Sequence, residues 1–71
     1  MELFERLREL RRDIAADRGV PPYVVFHDRT LREIARLKPV TPTQLRAIPG
    51  VGERKIADLG ERVLAVVLRE G

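Results

Sequence analysis

The chain has 71 residues, of which 44% are hydrophobic and 35% charged, and it contains no cysteine. A chain this short forms one small domain at most, and without cysteine it has neither disulfides nor a thiolate metal site. No apolar run approaches the ~20 residues that cross a bilayer, and the mixed charges of MELFERLRELRR are not those of a signal peptide. We therefore expect a cytoplasmic domain without a membrane partner.

The formal net charge of +3 comes from the middle of the chain. Residues 19–52 carry five cationic side chains against two carboxylates, whereas the two charge types balance in residues 1–18 and 53–71. Such a stretch is a possible footprint for phosphate, and it is nearly as consistent with a charge that only keeps the domain soluble. The five cations are Arg29, Arg32, Arg36, Lys38 and Arg46.

The first segment predicts an amphipathic helix from about Glu2 to Arg18. Its apolar residues recur at the three- and four-residue spacing of one helical face, and Gly19 is typical of a helix C-terminus. The members of that face are Leu3, Leu7, Leu10 and Ile14.

Pro21-Pro22 then forces an extended entry into Tyr23-Val24-Val25-Phe26. Because no second strand candidate exists for this stretch to pair with, we predict a single helical turn or an extended connector. In either form, Val25 and Phe26 should enter the core.

Asp28 is the predicted N-cap of the next helix, from about Arg29 to Leu37, and Pro39 ends it. The apolar side of this helix is predicted to hold Leu31, Ile34, Ala35 and Leu37. Thr41-Pro42-Thr43-Gln44 then forms a capping box with proline at the first helical position.

That fourth helix is short, carries Leu45 and Ile48, and stops at Pro49-Gly50. The last helix opens at Gly52 and runs to about Arg69. Gly60 in its interior costs roughly 1 kcal/mol against alanine, so a kink or a close helix crossing is expected there. The predicted buried residues of this helix are Ile56, Leu59, Val63, Leu64 and Val67, with Val66 as a further candidate. Together the segments predict an all-α bundle of four clear helices and one short turn-like helix.

The residues offer little for catalysis or metal binding. His27 is the sole histidine and has no cysteine to pair with, and the acids are interleaved with arginines rather than grouped as ligands. Gly50-Val51-Gly52 lacks the spacing of a phosphate-cradling P-loop. We predict no catalytic residue, no metal site and no cofactor.

The segment from Ile48 to Ile56 is the most informative local signal. A helix begins just after Gly50-Val51-Gly52, so its free N–H groups and dipole favour an anion, and Arg54 and Lys55 lie in its first turn. This turn is similar to the helix-hairpin-helix element of proteins that bind DNA without sequence specificity. The alternative is a tight turn in which Val51 staples the two helices.

Tyr23 is the only tyrosine, and there is no tryptophan. Placed after a rigid Pro-Pro, its ring could stack on an unpaired base, which is worth about 1–3 kcal/mol. A half-buried tyrosine that seals the bundle is the equal alternative.

Taken together, the pieces resemble the HRDC domain, which is found at the C-terminal end of RecQ-family helicases and in RNase D. The resemblance covers nearly the whole chain, and its most specific stretch, PPYVVFxDxTL, is more similar to bacterial RecQ helicases than to RNase D. The matching segments are Leu3-Phe4-Glu5-Arg6-Leu7-Arg8, Pro21 to Phe26, Asp28 with Thr30-Leu31, Ile34-Ala35, Pro39-Val40-Thr41, Leu45, Gly50-Val51-Gly52, Lys55, Gly60 and Val63-Leu64.

The resemblance implies a compact five-helix bundle spanning residues 1–71, excised from a larger ATP-dependent DNA helicase that acts in repair and recombination. It implies an accessory domain, monomeric in isolation, that binds single-stranded or forked DNA weakly in the bacterial nucleoid and tunes substrate choice. It also implies DNA contacts by Tyr23, by Lys55 and by the basic first helix, which supplies Arg8, Arg11 and Arg12. With the hairpin and the central cations, the candidate nucleic-acid-binding residues are Tyr23, Lys55, Arg54, Gly50, Gly52, Arg8, Arg12 and Lys38.

The first helix carries as many acids as arginines, which departs from the more basic members of the family. The alternative function is therefore a regulatory module that docks on the parent helicase core or on another protein and binds little DNA itself.

Overall fold

The computed structural model describes residues 2–70, so Met1 and Gly71 of the predicted 1–71 domain lie outside the described residues. Five helices and no strand are present in this part of the chain, which confirms the all-α prediction. In chain order they are α1 (Leu3–Arg18), α2 (Pro22–Val25), α3 (Asp28–Leu37), α4 (Pro42–Arg46) and α5 (Glu53–Glu70).

The two long helices, α1 and α5, run antiparallel. Arg18 at the end of α1 pairs with Asp58 near the start of α5, with two N–O distances of 2.7 Å. At the other end of the pair, Arg6 Nε lies 3.6 Å from Glu70 Oε2. The turn between α4 and α5 (residues 47–52, called the hairpin below) and α2 therefore lie toward one end of the bundle. The N-terminus of α1 lies toward the other end.

One apolar cluster forms the core, with every helix contributing to it. Val25 and Phe26 are both buried, as predicted, so the short α2 is anchored by its C-terminal side. The cluster consists of Leu3, Leu7, Ile14, Ala15, Val25, Phe26, Leu31, Ile34, Leu45, Ile48, Val51, Leu59, Val63 and Val67. Leu10, Ile56, Leu64 and Val66 are only partly buried at its edge.

The predicted helix ends at Gly19 and at Thr41 are confirmed. Gly19 adopts the left-handed conformation (φ 66°) and ends α1. Thr41 Oγ1 accepts a hydrogen bond from the Gln44 amide (3.1 Å), as a capping box requires. Gln44 Oε1 accepts in return from the Val40 amide (2.8 Å), one residue earlier than in the standard box.

Two predictions for α3 were wrong. Its N-cap is His27, not Asp28, because the Asp28 carboxylate is drawn to Arg11 and makes no cap hydrogen bond. Leu37 is 51% exposed rather than part of the apolar side. The helix ends at Leu37, the chain turns through Lys38 (φ 50°), and Pro39 is buried instead.

Of the kink or close helix crossing expected at Gly60, the close crossing is not found. Gly60 is buried, but α5 is continuous through it. A Cβ at this position would meet only the side chain of Ile56 in the same helix, at 3.4 Å or more. No other helix approaches closely enough to require glycine.

Candidate nucleic-acid interface

The short α2 presents Tyr23 to solvent. Pro22 starts the helix with a fixed φ, while Val25 and Phe26 anchor its far side in the core. Tyr23 is 61% exposed, so it does not seal the bundle. Its ring centroid lies 6.2 Å from that of His27, with the two planes tilted by 33°.

Two cations from other helices bind the carbonyl groups at the end of α2. Lys55 Nζ, from the first turn of α5, donates to the Val24 carbonyl oxygen at 3.0 Å and lies 5.4 Å from the centre of the Phe26 ring. Arg11 Nη1, from α1, donates to the Phe26 carbonyl oxygen at 3.0 Å. Lys55 is thus directed toward α2 and not toward the mouth of the hairpin.

The hairpin between α4 and α5 lies against the start of α3. Gly50 has a φ of 93°, and a Cβ on it would clash with Thr30 Oγ1. Thr30 Oγ1 donates to the Pro49 carbonyl oxygen (3.3 Å), and Val51 is buried in the core. The hairpin is thus held as a tight turn by Val51, which is the arrangement that the alternative interpretation of this segment described. Gly52 has no positive φ and no close neighbour, so the backbone does not require glycine there.

An open groove of about 540 Å³ lies where the hairpin meets the start of α3. It is lined by His27, Asp28, Arg29, Thr30, Pro49 and Gly50. Within residues 2–70, Arg29 forms no ion pair, so its guanidinium is available to an anion. The hydrogen bond from Arg11 holds the pKa of Asp28 below its ordinary value, so a carboxylate also faces this groove.

The cations around the hairpin differ in how they are neutralised. Arg54 and Lys55 have no ion-pair partner in the described part of the chain. Arg46, in contrast, holds Glu53 at 2.6 Å. Glu53 stands in the first turn of α5, where its negative charge interacts favourably with the positive end of the helix dipole. This acid therefore offsets part of the positive potential that would attract an anion to the start of α5.

A second groove, of about 280 Å³, runs between α1 and the start of α2. It brings Arg8 and Arg12 next to Pro22, the residue before Tyr23. Both arginines have acidic neighbours, with Glu5 at 3.3 Å from Arg8 and Asp13 at 3.8 Å from Arg12. The remaining lining residues are Glu5, Glu9 and Arg11.

Among the candidate nucleic-acid-binding residues, Lys38 lies apart from α2 and the hairpin. It shares a groove with the N-terminus of α1 and with Glu70 at the C-terminus of α5. It caps α3 at the end opposite the hairpin, and a ten-residue helix is about 15 Å long. The structure thus brings Tyr23, Lys55 and Gly50 to one end of the bundle, with Arg8 and Arg12 beside α2.

Two further residues, Arg29 and His27, join this end without having been selected as site residues from the sequence. Arg29 belonged to the central cationic stretch, but nothing in that pattern separated it from its neighbours. His27 reaches this end as the N-cap residue of α3. Arg11, one of the DNA contacts that the resemblance implies, binds the Phe26 carbonyl oxygen and the Asp28 carboxylate. In residues 2–70 no group of His, Cys, Asp and Glu side chains is arranged to hold a metal, and no described helix is long and apolar enough to cross a membrane.

The comparison with known proteins agrees with this architecture. The family model of the HRDC domain matches residues 1–67. The structure of Deinococcus radiodurans RecQ HRDC domain 3 superposes with a TM-score of 0.91 at 39% identity, covering 99% of this chain and 95% of that one.

Sequence relatives are ATP-dependent DNA helicases, most of them bacterial. The chain is 54% identical over 63 residues to the ATP-dependent DNA helicase RecQ of Bacillus subtilis, covering 89% of this chain and 11% of that protein. It is 46% identical over 66 residues to the ATP-dependent DNA helicase UvrD2 of Mycobacterium tuberculosis, covering 93% of this chain and 9% of that protein. The chain thus spans about a tenth of the curated relatives it matches. It belongs to the HRDC domain family, whose members are accessory and not catalytic domains of helicases.

Proposed function

We propose that this domain binds single-stranded or partly duplex DNA weakly and tunes the substrate choice of a RecQ-like ATP-dependent DNA helicase in the bacterial nucleoid. The observation that carries the proposal is the exposure of Tyr23 on a helix whose other side is fixed in the core. A ring held in this way can stack on an unpaired base without first losing much conformational freedom.

Cationic side chains on both sides of Tyr23 suit a phosphate backbone. Arg8 and Arg12 flank the start of α2, and Arg29 and Arg54 stand on the hairpin side, where neither has an acidic partner among residues 2–70. Gly50 and Gly52 keep the hairpin free of side chains, so a strand can approach its backbone. Lys55 reaches the end of α2 from the first turn of α5, and Lys38 is the most remote of the proposed contacts.

The affinity should be low and sensitive to salt. Several of the cations already have carboxylate neighbours, so a strand would neutralise only about three or four phosphates. For single-stranded DNA this corresponds to a slope of about −2 to −3 in a plot of log affinity against log salt concentration.

The test is a fluorescence-anisotropy titration of labelled single-stranded and forked DNA at low and moderate salt. Tyr23→Ala should weaken binding by about 1–3 kcal/mol, whereas Tyr23→Phe, which keeps the ring, should bind nearly as the wild type does. Because Tyr23 is mostly exposed, its removal should leave the melting temperature nearly unchanged. No binding at low salt, or equal binding by the two variants, would show that this surface is not the DNA site.

A second candidate function is protein interaction, either with the parent helicase core or with another protein. Three large apolar side chains, Leu37, Val40 and Leu68, are exposed on residues away from α2 and the hairpin. This function predicts that deleting the domain changes the activity of the parent helicase even if the isolated domain binds DNA poorly. A deletion that alters neither activity nor DNA affinity would argue against it.

A further inference from the structure

The orientation of α2 depends on contacts from outside the helix. α2 has only four residues, and a single helical turn is not stable in water by itself. Its own backbone closes the turn through the Val24 amide to Pro21 and the Phe26 amide to Pro22. The carbonyl groups at its C-terminal side are bound instead by Lys55 from α5 and Arg11 from α1.

These contacts also determine where the Lys55 charge is. Its ammonium donates to the Val24 carbonyl oxygen and lies near the face of the Phe26 ring, and the residue is partly buried. A hydrogen bond with a charged donor is stronger than a neutral one, and a cation near an aromatic face is further stabilised. A phosphate that drew the ammonium away would have to replace both contacts.

We propose that Lys55 and Arg11 are positioning residues that fix the orientation of α2, and that Lys55 acts on DNA through Tyr23 rather than by contacting phosphate. The inference rests on the proposed function, in which Tyr23 stacks on a base. Arg11 is suited to the same role because it is 9% exposed and its Nη1 binds the carbonyl oxygen of Phe26. Loss of either cation frees one end of α2, so the ring has to be ordered at the moment of binding.

The intrinsic fluorescence of the chain reports on this directly, because Tyr23 is the only tyrosine and there is no tryptophan. We would record the time-resolved fluorescence anisotropy of Tyr23 without DNA in the 71-residue chain and its variants. Lys55→Met keeps an apolar side chain against Phe26 and removes the ammonium, whereas Lys55→Arg restores a cation. Arg62→Gln is the matched control, since it also removes one positive charge from α5. Arg62 itself forms no ion pair in the described residues.

Lys55→Met should increase the amplitude of the fast, local motion of Tyr23. Lys55→Arg should restore most of the wild-type behaviour, and Arg62→Gln should not differ from the wild type. Circular dichroism at the assay temperature verifies that each variant is folded. If Lys55→Met does not fold, Arg11→Met frees the neighbouring carbonyl group and tests the same inference. Unchanged Tyr23 motion in the folded variants would overturn the proposal.

The titration with single-stranded DNA separates positioning from phosphate contact. If Lys55 is a positioning residue, Lys55→Met weakens binding up to as much as Tyr23→Ala does, roughly tenfold, and leaves the salt slope unchanged. The double variant should then bind no more weakly than Tyr23→Ala alone. If Lys55 contacts phosphate, the slope becomes shallower by about 0.7 and the two losses multiply.

The two proposals can fail separately. If Tyr23→Ala binds DNA as well as the wild type, the proposed stacking site is wrong, while the motion of Tyr23 still decides whether Lys55 positions α2. If Tyr23→Ala binds weakly and Lys55→Met makes the salt slope shallower, the stacking site is supported and the positioning role of Lys55 is overturned.

Discussion

Arg11 and Asp28 form an ion pair of 2.7 Å that joins the middle of α1 to the first turn of α3. The two partners lie in different surroundings, because the Arg11 side chain is 10% exposed and that of Asp28 is 55% exposed. The same guanidinium nitrogen also donates to Phe26, whereas the buried Nε of Arg11 has no partner in the described structure. Arg11 therefore carries most of the desolvation cost of a contact that fixes the junction between α2 and α3.

Replacing Arg11 by methionine should lower the free energy of unfolding by about 1–2 kcal/mol. The variant leaves the Phe26 carbonyl oxygen without its donor, which costs stability. The loss is limited because the exposed Asp28 carboxylate can be rehydrated and the unpaired Nε is removed. Urea unfolding followed by circular dichroism measures the difference.

Arg8→Met is the matched control on the same helix. Arg8 is exposed, and in the described part of the chain it forms one ion pair, with Glu5, and lies over the ring of Phe4, so its replacement should change stability by less than about 0.5 kcal/mol. Equal losses in the two variants would mean that the contacts of Arg11 add nothing beyond those of a surface arginine.

The domain should lose stability in acid. Hydrogen bonds from Arg11, Arg18 and Arg36 lower the pKa values of Asp28, Asp58 and Glu33, respectively. Since each folded-state pKa lies below the unfolded-state value of about 4, the stabilisation is complete above that pH. It is lost as the pH falls through the folded-state pKa values. Thermal melts should therefore give a nearly constant melting temperature from about pH 5 to 7 and a decline below about pH 4.

Asp58→Asn isolates one of these contributions, because Arg18 binds both oxygens of Asp58. The variant should melt below the wild type at pH 7, and the gap should close as the pH falls through the lowered folded-state pKa of Asp58, below which the wild-type carboxylate is itself protonated. A gap that is the same at every pH would mean that the substitution acts through packing and not through charge.

The sequence predicted the features that depend on neighbouring residues. Gly19 ends α1, Thr41 caps α4, and the buried faces follow apolar spacings, because all of these follow from residues a few positions apart. The contacts that shape the candidate interface join residues far apart in the chain. Arg11 binds Asp28 across 17 positions, and Lys55 binds Val24 across 31.

The wrong N-cap prediction for Asp28 has the same origin. Asp28 has a residue type and position that favour an N-cap, but a buried arginine from α1 offers its carboxylate a stronger partner. Lys55 lies in the first turn of α5, as predicted, and its ammonium also binds a carbonyl oxygen of α2, a contact that local sequence does not reveal.

Gly50→Ala should destabilise the domain by about 2–4 kcal/mol, because it adds backbone strain and a steric clash. The φ of 93° is rarely adopted by residues with a side chain, and the new Cβ would meet Thr30 Oγ1. Removing that oxygen in a Thr30→Ala background should relieve the clash but not the strain, so part of the loss should remain. Urea unfolding of the two single variants and the double variant gives the coupling between the sites.

Gly52→Ala is the matched control in the same hairpin. Its φ is not positive, and a Cβ there would meet no atom within 4 Å, so its stability should change by less than about 1 kcal/mol. If Gly50→Ala were as mild as Gly52→Ala, the hairpin would have to be able to adopt a different backbone conformation at Gly50.

Gly60→Ala should stabilise the domain by about 0.5–1 kcal/mol, because glycine inside a helix loses more conformational entropy on folding than alanine does. The added Cβ would meet Ile56 Cγ2 at 3.4 Å and Ile56 Cβ at 3.9 Å, which are ordinary contacts within α5. Ala57→Gly, at an exposed position of the same helix, is the reverse control and should cost about as much as Gly60→Ala gains. The urea midpoint of Gly60→Ala should exceed that of the wild type. A lower midpoint would mean that another helix needs the space at Gly60, as the sequence pattern predicted.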